Sequence, residues 1–296
     1  MERFLGHYPI QSIDIDNEKY PTRLKKTPSA PKTIFFRGNL EFNQERCFAV
    51  VGTRLCSGYG KEIALSFSIS LSAAGLTIVS GMALGIDTWA HKGTIEANGR
   101  AVAVLGTGLD ERSIYPQENL KLAKQILEKG GCLISEYSSG TPGSKFTFPK
   151  RNRIIAGISL GILVVEAKMK SGALITADYA RKYSRKIFAV PGNILSQNSK
   201  GCHFLIKRGA QLVESANDIL DEFDIKPPSR QNTALNVNEN EVEKAILQAL
   251  QMGSQTIDKI IELTNLPAPQ ISSAISLMEL DSKVKNLGGN VYALRR

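Results

Sequence analysis

Short, unbroken apolar runs recur along this chain, and each empties into a glycine or small-residue turn. Phe48 to Val51 leads into Gly52-Thr53-Arg54, Leu76 to Val79 into Ser80-Gly81, and Ala101 to Leu105 into Gly106-Thr107-Gly108. Ile162 to Val165 runs through Glu166-Ala167 to Ser171-Gly172, and Ile187 to Val190 ends in Pro191-Gly192-Asn193. Runs without polar alternation suit strands buried on both faces. Stretches of helical length separate them, at 59–74, 86–98, 119–129, 153–159, 173–183, 202–208 and 216–223. Further strands are expected at 132–136 and 211–213. The pattern predicts an α/β, Rossmann-like fold with a mostly parallel sheet and helices on both faces. In such sheets ligands sit beyond the carboxyl ends of the strands, where these turns gather, and helix N-termini there attract phosphate.

Residues 1–44 hold Pro9, Pro21, Pro28 and Pro31 and little periodicity. They are expected to form a lead-in that packs on the core through Ile34-Phe35-Phe36. The α/β domain is expected over 45–224, followed by a polar linker over 225–240 that carries Pro227-Pro228. The segment 241–296 then shows three amphipathic helical patterns, at 241–252, 256–264 and 269–281. Two short strands about Gly288-Gly289-Asn290 follow, a hairpin signal. Three helices and a hairpin outline a small winged-helix-like domain.

Charge changes the picture more than composition does. The chain has 296 residues and a net charge of +9, with a hydrophobic content of 42% that fits an ordinary globular core. Residues 1–237 hold 31 basic and 21 acidic residues, against 6 and 7 in 238–296. The whole positive excess therefore falls on the α/β domain, which points to a polyanionic partner there. The four cysteines form no C-x-x-C pair and only three histidines are present, so no metal site and no cofactor are expected. Reduced thiols, no apolar leader and no membrane-length run lead to the expectation of a cytoplasmic protein with no membrane partner.

Several turns carry candidate chemistry. Gly52 permits a tight turn, and Thr53 and Arg54 offer a hydroxyl and a guanidinium to a ligand. Neither G-x-G-x-x-G nor a Walker A sequence is present, which removes the main support for dinucleotide or ATP binding. Ser80-Gly81 opens a second anion-accepting turn. Asp87 and His91, four residues apart, form either an acid–base pair or, on the favoured reading, a contact along one helix. The densest stretch is Lys145 to Gly157. Pro149 is expected to fix an extended entry, with Arg151, Asn152 and Arg153 clustering before an apolar helix. Arginine forks suit phosphate, and aromatic rings among bases suit nucleobase stacking. Phe146 and Phe148 fit either stacking or core packing. Glu166 is either a catalytic carboxylate or, on the favoured reading, an ion-pair partner of Arg151 or Arg153. Ser171-Gly172 completes a further edge turn.

Taken together, Val51-Gly52-Thr53-Arg54, Ser80 to Asp87 with Ala90-His91, Tyr115-Pro116, Phe148 to Gly157, Val164 to Ala167 and Phe188 to Gly192 closely resemble the DprA/Smf family of bacterial DNA-processing proteins. The resemblance spans about residues 20–223, and the tail resembles the winged helix that many members carry. It implies a non-enzymatic single-stranded DNA-binding recombination mediator that protects incoming strands during DNA uptake and loads the RecA recombinase. It further implies displacement of single-strand-binding protein and a homodimer. The family's DNA pocket falls here on Arg54, Ser80, Gly81, Lys145, Phe148, Arg151 and Arg153. Its dimer surface falls on Ile206 and Leu212, and its recombinase contact near Ala180 to Lys186, a distinctly basic stretch in this chain.

Two other classes are weaker. A phosphoribohydrolase-like nucleotide-processing enzyme would carry P-G-G-x-G-T, but this chain reads Pro191-Gly192-Asn193-Ile194-Leu195. A transcription factor would need basic residues on the third tail helix, and 269–281 has none.

Overall fold

The computed structural model describes residues 4–40, 46–226, 241–251, 253–281 and 283–295. The chain divides into two compact units, Met1–Ser229 and Arg230–Arg296. Of the linker expected over 225–240, Ile225 is instead buried in the core of the first unit, where it follows α8; residues 227–240 lie outside the described residues, as does the 44/45 boundary.

In the first unit, β1 (Gln11–Asp14), α1 (Thr22–Lys25) and β2 (Thr33–Gly38) precede the glycine-turn series. That series begins with β3 (Cys47–Val51), α2 (Gly58–Ala73), β4 (Thr77–Ser80), α3 (Ile86–Glu96) and β5 (Ala101–Leu105). It continues through α4 (Leu120–Glu128), β6 (Cys132–Ser135), α5 (Thr147–Ile158), β7 (Gly161–Val164) and α6 (Gly172–Lys182). It closes with β8 (Lys186–Ala189), α7 (Lys200–Ile206), β9 (Gln211–Leu212) and α8 (Ala216–Glu222).

The nine strands form one sheet in the order β1-β2-β6-β5-β4-β3-β7-β8-β9. All neighbours from β6 to β9 pair in parallel, while β2 runs antiparallel to both β6 and β1. The segment read as a lead-in is therefore two strands of the sheet itself. Its prolines fall outside β1 and β2, which is why proline did not break the pairing.

Side chains of β3 alternate between two cores. Cys47, Ala49 and Val51 join the cluster under α5, α6 and α7, and Phe48 and Val50 the cluster under α2, α3 and α8. All five are buried, so the period-two alternation places apolar side chains on both faces and polarity has no place in the run.

The chain leaves β3 toward β4, β5 and β6 on one side, then returns to place β7 on the other. The loops after β3 and β7 thus diverge to opposite sides, leaving a crevice at the strand ends. Open α/β sheets bind ligands at this kind of switch point.

In the second unit, α9 (Glu241–Gln251), β10 (Gln255–Thr256), α10 (Ile257–Thr264), α11 (Ala268–Leu280), β11 (Val284–Asn286) and β12 (Val291–Leu294) make a winged helix. Its three strands pair antiparallel in the order β10-β12-β11. The core includes Ile246, Leu250, Ile260, Ile275 and Met278. Strand β10 is too short to show in the apolar pattern, and Thr256 ends it by accepting the Lys259 N–H to cap α10.

No helix among the described residues is long and apolar enough to cross a membrane.

Candidate nucleic-acid interface

A cavity of about 400 Å³ opens at the carboxyl ends of β3, β4 and β7, between the starts of α5 and α6. Of the candidates read from the sequence, Gly52, Thr53, Arg54, Lys145, Phe148, Arg151, Asn152, Ser171 and Gly172 line it. Ser80, Gly81 and Arg153 do not.

The cationic wall holds Arg54, Lys145, Lys168 and Lys170, all exposed. Among the described residues none of the four forms an ion pair, so their charge is available to an anion. Lys168 and Lys170 carry no motif that marks them in the sequence as site residues. Their signal was position, since they follow β7 and precede the α6 N-terminus at Ser171, whose side chain accepts the Ala173 N–H.

Phe148 is half-buried at the centre. Tyr115 stands 5.6 Å from its ring, centroid to centroid, and the Arg54 guanidinium carbon sits 5.1 Å over the ring. Gly106 and Gly143 wall the ring so closely that a Cβ at either position would meet it. The ring is thus packed by two glycines and capped by Arg54 while it lines the cavity. Phe146, 73% exposed, is not a core residue.

Helix α5 begins at Thr147, ahead of the expected start at Arg153. Pro149 sits in its first turn, where a missing N–H breaks no intrahelical bond and the fixed φ is helical. The extended entry expected there is therefore replaced by helix. Ser144 receives the Phe146 and Thr147 N–H groups, which occupies part of this helix end.

Helical placement separates the two arginines that the sequence grouped. Arg151 turns inward to the cavity floor, where its guanidinium donates to the carbonyls of Gly81, at 2.5 Å, and Val104. Burial lowers its pKa to about 10, opposed by Asp87, so it stays charged at neutral pH. A Cβ on Gly81 would strike this guanidinium, so glycine is required there for close approach. Arg153 points away, to Glu136 and to the Ser29 carbonyl at 2.6 Å. Lys150 also lies 3.3 Å from Glu136. Asn152 donates to the Gly172 carbonyl at 3.1 Å and accepts from Arg151 Nε at 3.1 Å, tying α5 to the start of α6. Ser80 is fully buried and donates to the Val50 carbonyl at 2.7 Å.

Two expected pairings are corrected. Glu166 meets neither Arg151 nor Arg153; its carboxylate accepts from Ser57 N at 2.9 Å, Ser57 Oγ at 2.6 Å and Asn198 Nδ2 at 3.4 Å. It holds the β3–α2 turn against the loop after β8, because those donors lie directly beyond the end of β7. Asp87 does not bond His91. Its carboxylate accepts the Gly81 and Ala83 N–H groups at 3.1 and 3.3 Å across the left-handed Met82, φ 60°. Burial raises the Asp87 pKa, and Arg151 opposes the rise.

His91 is fully buried, and neither ring nitrogen has a hydrogen-bond partner among the described residues. Burial first, and then Arg151, push its pKa down to about 3. The unfolded chain takes up this proton near pH 6.5 and the folded chain does not, so stability falls as pH drops from about 6.5 toward 3. This group alone costs about 2 kcal/mol by pH 5. His91→Leu should flatten the melting temperature between pH 7 and 5 relative to the parent protein. Parallel pH profiles for the two proteins would show that His91 does not carry the effect.

Ile206 is half-buried at the end of α7, and Leu212 is 45% exposed on β9, one of the two edge strands of the sheet.

A Rossmann-like sheet with a cationic crevice at its switch point, followed by a separate winged-helix unit, defines the class of fold. Relatives narrow it. Residues 11–224 match the family described as DNA recombination-mediator protein A, and residues 227–290 the DprA winged helix domain. Protein Smf of Escherichia coli is 37% identical over 291 residues, covering 96% of this chain and 77% of that one. DNA processing protein DprA of Streptococcus pneumoniae is 44% identical over 213 residues, covering 72% and 74%. The solved structure of the Streptococcus pneumoniae protein matches with a TM-score of 0.68 at 43% identity, over 72% of this chain and 74% of that one. The Helicobacter pylori DNA processing protein A, whose structure addresses its single-stranded DNA binding mode, matches with a TM-score of 0.66 at 26% identity, over 74% and 99%. The chain belongs to the DprA/Smf family of DNA recombination mediators.

Proposed function

We propose that this protein binds single-stranded DNA in the crevice at the ends of β3, β4 and β7 and delivers it to the RecA recombinase. The observation that carries this reading is the set of four cations, Arg54, Lys145, Lys168 and Lys170, that form no ion pair among the described residues and surround the half-buried Phe148 ring. Phosphates take the cations and a base takes the ring, a combination that suits unpaired strands of any sequence. Arg151 lends charge from the floor, while Gly52, Thr53, Asn152, Ser171 and Gly172 shape the walls. Ser80, Gly81 and Arg153 act through the scaffold. No covalent step is needed, so the role is that of a binder in the cytoplasm rather than an enzyme. Ile206 and Leu212, beside the open edge of β9, are the surface for a homodimer. RecA and single-strand-binding protein are the protein partners this reading expects, near Ala180 to Lys186 for RecA. The tail suits protein contact better than groove reading, since α11 carries no Lys or Arg.

Titration of equal-length single- and double-stranded oligonucleotides across a salt series tests the core of the reading. Single strands should bind more tightly, with a log–log salt slope of roughly −3 for four neutralised phosphates. Equal or tighter binding of blunt duplex would overturn it. Light scattering of the parent protein and of Ile206→Glu in the same buffers, each with and without RecA, reads the self-association and the partner.

A further inference from the structure

Beyond the wall formed by Lys170, Ser171 and Gly172 lies a second groove, of about 390 Å³, between α6 and α7. The two cavities share those three residues. The groove is lined by Met169, Leu174, Ile175, Phe204 and Arg208, with Asp178 further along α6. Met169 is 50% exposed and Ile175 36%, so both side chains are open to a ligand in the groove. The Arg208 guanidinium carbon sits 4.7 Å over the Phe204 ring, and Arg208 forms no ion pair among the described residues.

We infer that this groove is a second nucleotide subsite, which takes the next base of the single strand whose phosphates fill the first cavity. This inference rests on the DNA reading above. The first cavity offers one stacking ring, Phe148, so a longer strand must leave it to find another. At the shared wall the exit is marked by Lys170, a cation common to both cavities. Past it come an apolar floor and a second aromatic ring with an arginine over its face, the same pairing as Phe148 with Arg54. Polarity runs in the sense a nucleotide needs. The cation Lys170 stands at the α6 N-terminus, and Asp178 lies one helical turn beyond Leu174, about 6 Å further along the axis. A phosphate is therefore favoured near the shared wall, and an N–H of a base, such as the thymine imide, near the carboxylate, which Arg181 holds at 3.7 Å. A protein segment would find the apolar floor as well, but would have no reason for the shared lysine and continuous wall.

Phe204→Leu keeps most of the apolar volume and removes the ring, and Arg208→Gln removes the charge. Fluorescence anisotropy with oligothymidylates of roughly 4 and 12 nucleotides spans the usual range of site sizes. Each variant should bind the long oligonucleotide on the order of tenfold more weakly, the value of one stacked base, and the short one as the parent does. A single abasic position in the long strand should cost the parent protein the same factor and cost Phe204→Leu nothing more. Unchanged short-strand affinity and melting temperature verify that the variants are folded. Long-strand affinity equal to the parent in both variants would overturn the subsite and assign the groove to a protein surface. If Arg54→Ala also leaves long-strand binding intact, the DNA reading itself fails, and the subsite with it.

Discussion

Arg54→Ala should lower the affinity for single-stranded DNA by one to two decades and leave the melting temperature where it was. Arg54 is exposed in the turn after β3 and forms no ion pair among the described residues, so its removal unmakes nothing in the core. Its guanidinium lies over Phe148, where it can hold a phosphate beside a stacked base. A hydrogen bond to a charged group contributes roughly 1.5–3 kcal/mol, and about 1.4 kcal/mol is tenfold in Kd. With one fewer phosphate neutralised, the salt slope should also flatten by about 0.7. Anisotropy across a salt series reads both quantities, and a variant with the parent's affinity and slope would remove Arg54 from the site.

Glu136→Ala should instead destabilise the first unit and spare DNA affinity. Glu136 and Arg153 have side chains only 8% exposed, and they form a buried ion pair on the far side of α5 from the cavity. Among the described residues, removing the carboxylate leaves the arginine with only the Ser29 carbonyl. Breaking a buried pair from one side costs about 3–5 kcal/mol, because the remaining charge is desolvated and uncompensated. At about 2–4 °C per kcal/mol for a unit of this size, the melting temperature should fall by roughly 10 °C. Thermal melts and anisotropy on the same preparation separate the effects. A large loss of DNA affinity at full stability would place Arg153 back among the contact residues.

The sheet was legible because burial on both faces demands continuous apolar runs, and β3, β5 and β7 satisfy that demand without interruption. Strand β2 was not, since half-buried Thr33, Phe35 and Phe36 mix with a buried arginine, Arg37, that reaches the Leu5 and Tyr8 carbonyls. The site was legible at its turns and illegible in its directions. Spacing of two along a helix points Arg151 and Arg153 to nearly opposite sides, but that follows only once Pro149 is known to lie inside α5. Glu166 misled for a related reason. Its partners, Ser57 and Asn198, come from segments 109 and 32 residues away, and nothing local announces them. Lys168 and Lys170 gained meaning only when β7 was placed beside β3.

The distribution of thiols also has a practical side. Cys47, Cys132 and Cys202 are buried, and burial raises all three pKa values, with Cys47 and Cys202 pushed up to about 12. At neutral pH they hold almost no thiolate and offer no path to a reagent. Cys56 alone of the four is partly open to solvent, two residues past Arg54 in the turn between β3 and α2, and burial raises its pKa as well, though it is the one thiol a reagent can reach. A maleimide dye added to the unaltered protein should therefore attach at one position, in the same turn as Arg54, and report on that turn without any introduced cysteine.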